Sequence, residues 1–266
     1  GIIRLNSSLC VYAAEGGSCG SDLQWNLSDG TLTITGKGDM DDYKDGVTAP
    51  WYDMAEEIVV VNLPSGLTSI GDYAFAECTN LLQVNLGSVQ TIGDGAFYGC
   101  ESLSSISFPS SVTSIGAKAF YRCYALKTVT IPANVTDLGS AAFGYCEGLV
   151  RAIVNSPIDS LPIWTFYGCS NLTDVSLAPQ ITSVGEYAFE HCDNLHGIYL
   201  QSGDDKVAAE IEESISKEQN QQKDVPAPEI DNESTDLPMG EVPKQPVQTL
   251  LSTAISRPRL QRTASR

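Results

Sequence analysis

The stretch SIGDYAFAECTNL, residues 69–81, decides the reading of the chain, because it returns downstream with its spacing intact. TIGDGAFYGCESL (91–103), SIGAKAFYRCYAL (114–126) and SVGEYAFEHCDNL (183–195) are the clearest copies. Phe75, Phe97, Phe120, Phe143, Phe166 and Phe189 stand 22, 23, 23, 23 and 23 residues apart. A fixed period of this length marks a solenoid, in which each unit is one coil that cannot bury its own apolar face and stacks on its neighbours instead.

The other positions keep the same phase. Three residues after each Phe stand Cys78, Cys100, Cys123, Cys146, Cys169 and Cys192, and six after it Leu81, Leu103, Leu126, Leu149, Leu172 and Leu195. Five before it are Ile70, Ile92, Ile115, Leu138, Leu161 and Val184. All of these are expected to point inward. Between the Leu and the next Ile lie alternating stretches such as LLQVNL, LSSISF and LKTVTI, the period of a strand buried on one face, so each coil should open with a short strand of a parallel sheet. Gly71, Gly93, Gly116, Gly139 and Gly185 mark a corner that needs either a positive φ or a close backbone approach. The AFxxC segment spaces its apolar residues by three, as a turn or two of α- or 3₁₀-helix would.

The pattern LxxVxIPxxVTSIGxxAFxxCxxL, running over about residues 51–200, resembles the BspA-like leucine-rich repeats of bacterial and some protozoan surface proteins. The resemblance implies an α/β solenoid, secretion or display at a cell surface, and adhesive behaviour toward host proteins or other cells. It implies no catalytic residues.

Upstream of the full copies, Tyr52 takes the Phe slot, Ala55 the Cys slot and Ile58 the Leu slot of a degenerate coil, with Val61 and Leu63 in strand phase. Leu23, Trp25 and Leu27, then Leu32 and Ile34, alternate around Ser28-Asp29-Gly30 and predict a hairpin. Residues 15–50 therefore read as an N-terminal cap over the end of the apolar column. Residues 1–14 have the small-residue look of a secretion-signal remnant, and residues 201–266, without aromatics or Cys, read as a disordered acidic and Pro-rich tail. One helix is expected within it, over DDKVAAEIEESISK (204–217).

Eight cysteines in a secreted chain invite disulfides, but six hold one point on successive coils, spaced near the ~4.8 Å of strands rather than the ~3.8 Å that a bridge wants between Cβ atoms. They are expected to be buried free thiols. The chain has no CxxC pair for a structural metal. Cys192 lies next to His191 and near His196, yet its phase is that of the core, where a nucleophile has no access. Asp39, Asp41, Asp42 and Asp45 crowd one loop, but Tyr43 and Tyr52 occupy EF-hand ligand positions, so a solvated acidic loop is expected. No phosphate-binding, dinucleotide or nucleophile-elbow motif occurs, and the chain is read as a non-enzyme without cofactor or metal.

What remains is a surface. Gln83, Asn85, Ser105, Ser107, Thr128, Thr130, Arg151, Ile153, Asp174, Ser176 and Tyr199 alternate with the buried strand positions and should form one outward strip. In the fourth repeat Trp164 stands in a normally polar position and Pro162 replaces the corner Gly, so Arg151, Ile153 and Trp164 are candidates for a binding hot spot. A net charge of −18 disfavours nucleic acid and anionic membranes, and no apolar run is long enough to insert in a bilayer. The expected partner of this monomer is an extracellular protein or glycan. An accessory region of a larger secreted enzyme and a plain structural spacer are the alternatives.

Overall fold

The computed structural model describes residues 15–201, together with Ala209 and Glu213, which are helical. The secretion-signal reading of residues 1–14, the disordered tail and the rest of the 204–217 helix lie outside the described residues. Among those described, no helix is long and apolar enough to cross a membrane.

The repeat builds a column of stacked coils. Phe75, Phe97, Phe120, Phe143, Phe166 and Phe189 form one file of stacked rings, with centroids 5.2 to 5.8 Å apart. All six are fully buried. Trp51 continues the file, its ring 5.7 Å from Phe75 at an interplanar angle of 17° and its indole N–H donating to the Ala74 carbonyl at 2.7 Å. Tyr52, expected in that slot, is exposed instead. The 3₁₀ turn Tyr52–Glu57 inserts one residue between the ring and the buried Ala55, which shifts the slot to Trp51.

The ladder cysteines are buried and unbridged. From Cys100 onward each thiol donates to the carbonyl of the Phe one coil earlier: Cys100 to Phe75, Cys123 to Phe97, Cys146 to Phe120, Cys169 to Phe143 and Cys192 to Phe166, over 3.1 to 3.4 Å. Burial pushes the Cys78 and Cys146 thiols up to about 12. The same cause holds Cys100, Cys123 and Cys169 well above an ordinary thiol.

The AFxxC segment is not helical. It is a run of β-turns in which the residues two before and two after each Phe are left-handed. Tyr73, Gly95, Lys118, Ala141, Trp164 and Tyr187 occupy the first position, and Glu77, Gly99, Arg122, Tyr145, Gly168 and His191 the second, all with φ between 53° and 72°. The alternation of hand sends successive N–H groups two ways. Ala74, Ala76 and Cys78 bond within their coil to Gly71, Tyr73 and Phe75, while Tyr73, Phe75 and Glu77 bond to Asp94, Ala96 and Tyr98 of the next coil. The same three inter-coil bonds recur at each following junction, at 2.6 to 3.1 Å. Spacing by three is thus produced by turns, and every second amide ties one coil to the next.

The corner glycines answer to close approach rather than to φ. A Cβ on Gly93 or Gly116 would lie 2.6 Å from the backbone nitrogen of Asp72 or Asp94 in the coil before. Neither glycine is left-handed.

Parallel strands line one side. Thr128–Ile131, Arg151–Val154, Asp174–Leu177 and Gly197–Leu200 pair in order, and Val60–Asn62 pairs Gln83–Asn85. Residues 103–109 form no strand, contrary to the reading of LSSISF, so the sheet is split there. Where other coils put Leu, Ile or Val, this one has Phe108, whose ring reaches edge-on to Phe120 (5.6 Å) and Phe143 (6.5 Å). The coil that carries a ring in this aliphatic slot is the one that drops out of the ladder. Two-residue strands on a second side (Thr91–Ile92, Ser114–Ile115 and Asp137–Leu138) remain paired across that coil.

At the N-terminal end, Leu23–Ser28 and Thr31–Asp39 form the expected hairpin, its turn residues Asp29 and Gly30 both left-handed. A third strand, Glu15–Gly20, pairs antiparallel with the first of these. Its glycine-rich sequence carries no alternation that could have announced it. Trp25 and Tyr43 meet Trp51 edge-on at 5.7 and 5.9 Å, closing the aromatic file.

Candidate functional site

The strand register fixes which outward residues become neighbours. Thr128, Arg151, Asp174 and Gly197 form one row across the four-stranded sheet, and Thr130, Ile153, Ser176 and Tyr199 the next. Between the rows Val129, Ala152, Val175 and Ile198 turn inward and are buried. Thr128, Thr130, Arg151 and Tyr199 are exposed, whereas Ile153, Asp174 and Ser176 are half-buried by their neighbours. The small Ala152, in the place of a Val or Ile, sits flush with the core.

Polar contacts order the C-terminal part of this face. Asp174 accepts from the Thr173 hydroxyl at 2.7 Å and from the Tyr199 hydroxyl at 3.4 Å. Gln201 donates to the Asn155 side chain at 2.8 Å and to the Ser176 hydroxyl at 3.4 Å. Asn155 and Gln201 therefore add a third row that the strand alternation did not include.

Gln83 and Asn85 belong to a separate patch. They pair in register with Val60 and Asn62, which pair in turn with Thr31 and Thr33 of the hairpin. Ser105 and Ser107 are exposed but stand on the unpaired segment between the two patches. The single strip expected from alternation is thus two patches with a seam.

Trp164 lies elsewhere on the coil. It occupies a left-handed position in the β-turn run, 40% exposed, with its ring stacked on Tyr187 at 6.4 Å. Arg151 and Ile153 are strand residues, so the proposed trio is divided between two segments of the coil. The turn segment also carries an aromatic file not foreseen from sequence: Tyr98, Tyr121, Tyr145, Tyr167 and His191, each 5.2 to 5.4 Å from the next. Its members stand either one or two residues after the Phe, which hides the column from a fixed-phase reading.

The sites of conventional chemistry resolve into structure. The Cys192 thiol is buried on the Phe166 carbonyl, while His191 and His196 are exposed. In the acidic loop, Asp39 accepts from Thr68 and Ser69, and Asp42 accepts the Asp72 N–H at 2.9 Å. Asp72 accepts Lys44 at 2.6 Å and the Asp94 N–H at 2.8 Å, and Asp94 accepts the Ala117 N–H at 2.7 Å. Loop and coils thus share a ladder of carboxylate-to-amide bonds. Its hydrogen bond to Asp72 holds Lys44 above the usual lysine range. Among the described residues no group of His, Cys, Asp or Glu is arranged to hold a metal ion.

The sequence profile of the BspA type leucine rich repeat region matches in six copies, over residues 52–161 and 90–211. The leucine rich repeat protein of T. pallidum (TpLRR) is 29% identical, with 74% of this chain and 92% of that one covered and a TM-score of 0.54. A leucine-rich repeat protein from Bacteroides ovatus ATCC 8483 is 27% identical over 66% of this chain, with a TM-score of 0.55, and is covered over 51% of its own length. The pneumococcal vaccine antigen PcpA shares the fold at 20% identity and a TM-score of 0.54, with 72% of this chain and 45% of that one covered. No curated protein matches by sequence.

Proposed function

The chain belongs to the BspA-type leucine-rich repeat family, and on that premise we propose that it is a non-enzymatic, secreted or surface-displayed monomeric binding module. Its parallel-sheet face engages an extracellular protein or glycan. The observation that carries this reading is the four-strand register, which sets Thr128, Thr130, Arg151, Ile153, Ser176 and Tyr199 side by side with polar atoms and two apolar side chains facing outward. Rows of this kind on stacked coils make an extended surface of fixed geometry, which loses little entropy on binding.

The test is a binding screen of the full chain against purified extracellular matrix proteins and cell-surface glycans. Ile153→Ala combined with Tyr199→Ala should weaken a captured ligand by about tenfold or more with a nearly unchanged melting temperature. Trp164→Ala should leave that ligand bound. A loss caused by Trp164→Ala alone would move the site to the turn segment and overturn this reading.

A further inference from the structure

Charge is distributed unevenly along the column. Residues 15–101 carry fourteen acidic and two basic side chains, and residues 152–201 carry five acidic and no Lys or Arg. Between them, residues 102–151 carry two acidic and four basic ones. A molecule of net charge −18 thus has a cationic belt around its middle coils.

Two of the four cations belong to the turn segment. Lys118 is half-buried there, and Arg122 lies over the Tyr121 ring at 6.0 Å. The other two are exposed, Arg151 on its strand and Lys127 immediately before the strand Thr128–Ile131. The Val150 N–H bonds to the Lys127 carbonyl, and Thr128 pairs with Arg151, so Lys127, Thr128, Val150 and Arg151 are neighbours on adjacent coils. The Lys127 ammonium lies over Gly148, about where a side chain there would stand. Among the described residues the ion pairs are those of Lys44 and His191, so neither Lys127 nor Arg151 has a carboxylate partner, although Glu147 and Asp174 border them. Val150, 43% exposed, is bonded through its N–H to Lys127 and directly precedes Arg151, and the half-buried Ile153 follows two residues after Arg151.

We propose that this patch recognises a short acidic and apolar segment of a partner protein, its carboxylates meeting Lys127 and Arg151 and its apolar side chains meeting Val150 and Ile153. The inference rests on the sheet-face reading above and names the partner's chemistry. Length is the argument for a short peptide over a polyanionic glycan. The belt spans only two or three coils, about 10–15 Å at the spacing of parallel strands. A long polyanion would run onto acidic coils on both sides, where like charges repel.

The experiment measures fluorescence anisotropy of the full chain with a short labelled peptide in which Glu alternates with Val. Its Gln-for-Glu counterpart and a heparin oligosaccharide are the other probes. The proposal expects the Glu peptide to bind, to weaken about fivefold or more with Lys127→Glu or Arg151→Glu, and to weaken further as salt rises to about 0.5 M. Equal binding by the Gln peptide, or by both charge-reversed variants, would overturn it. Heparin binding without peptide binding would overturn it in favour of a glycan. Should the Gln peptide bind and be lost with Ile153→Ala and Tyr199→Ala, the sheet face stands as the site and only the charge assignment fails. Absence of every probe, with the sheet-face variants also silent in the wider screen, would remove both.

Discussion

At the scale of single residues, the crowded corners and the left-handed turn positions make different demands, and the distinction has measurable consequences. Gly116 has ordinary φ but no room, with Asp94 backbone 2.6 Å from a would-be Cβ. Gly116→Ala should therefore cost about 2 kcal/mol or more of stability, because a backbone contact cannot rotate away. Lys118 is the reverse case, a side chain at φ 55°. Lys118→Gly should be neutral to stabilising, since relief of about 1 kcal/mol of left-handed strain offsets the added chain entropy. The urea midpoint should fall for Gly116→Ala and stay level or rise for Lys118→Gly, so that the two differ by at least the Gly116 cost. The thiols add a pH dependence. An unfolded thiol ionises near ~8.5, whereas the buried Cys78 and Cys146 stay protonated up to about 12. A pKa raised by folding gives stability that is complete below the unfolded value and is lost as pH climbs toward the folded one. Stability should be flat from about pH 6 to 8 and fall from about pH 8.5, by up to ~1.4 kcal/mol per pH unit for each buried thiol. Cys123→Ala should lessen that slope in denaturant titrations between pH 8 and 10. A slope indifferent to this change would contradict the thiol assignment.

At the scale of the element, legibility followed physical cause. Six phenylalanines in phase report a core, because burial selects a large apolar ring at that slot. The hairpin at Asp29-Gly30 was legible for a similar reason, both turn residues being left-handed. The β-turn run was not. Nine of its twelve left-handed positions carry residues other than Gly, so the usual marker of that conformation is missing, and a spacing of three fits helix equally well. The Trp51 slot was misread because one inserted residue moves the ring relative to Ala55. The seam at residues 103–109 escaped notice because Phe108 preserves the apolar alternation while exceeding its volume. Alternation named the outward side chains of the candidate face, but only the register showed that they divide into two patches. Core rings should carry position-dependent weight. Phe120→Ala, with stacked rings on both sides, should cost about 3–5 kcal/mol. Phe189→Ala should cost less, because Val184 and Leu195 beside it are already partly exposed and that end can relax.

At the scale of the whole molecule, the column is held by three kinds of repeated contact: stacked rings, thiol-to-carbonyl bonds and the alternate amides of the turn run. Strand pairing is interrupted at 103–109, and the two-residue strands are interrupted between Asp137–Leu138 and Ser160–Leu161, yet the turn-run bonds persist at every junction from Phe75 to Phe189. A rigid interior of this kind is what allows outward residues from separate repeats to act as one surface. The claim underlying both the fold and the site is that successive coils close over a single file of protonated thiols. Reaction with a coloured thiol reagent tests it most directly, first on native protein and then after unfolding without reductant. The account predicts that the six ladder thiols are silent in the native protein and all react once it is unfolded. Rapid reaction of several ladder thiols in the native state, or their absence after unfolding because they are bridged, would contradict it.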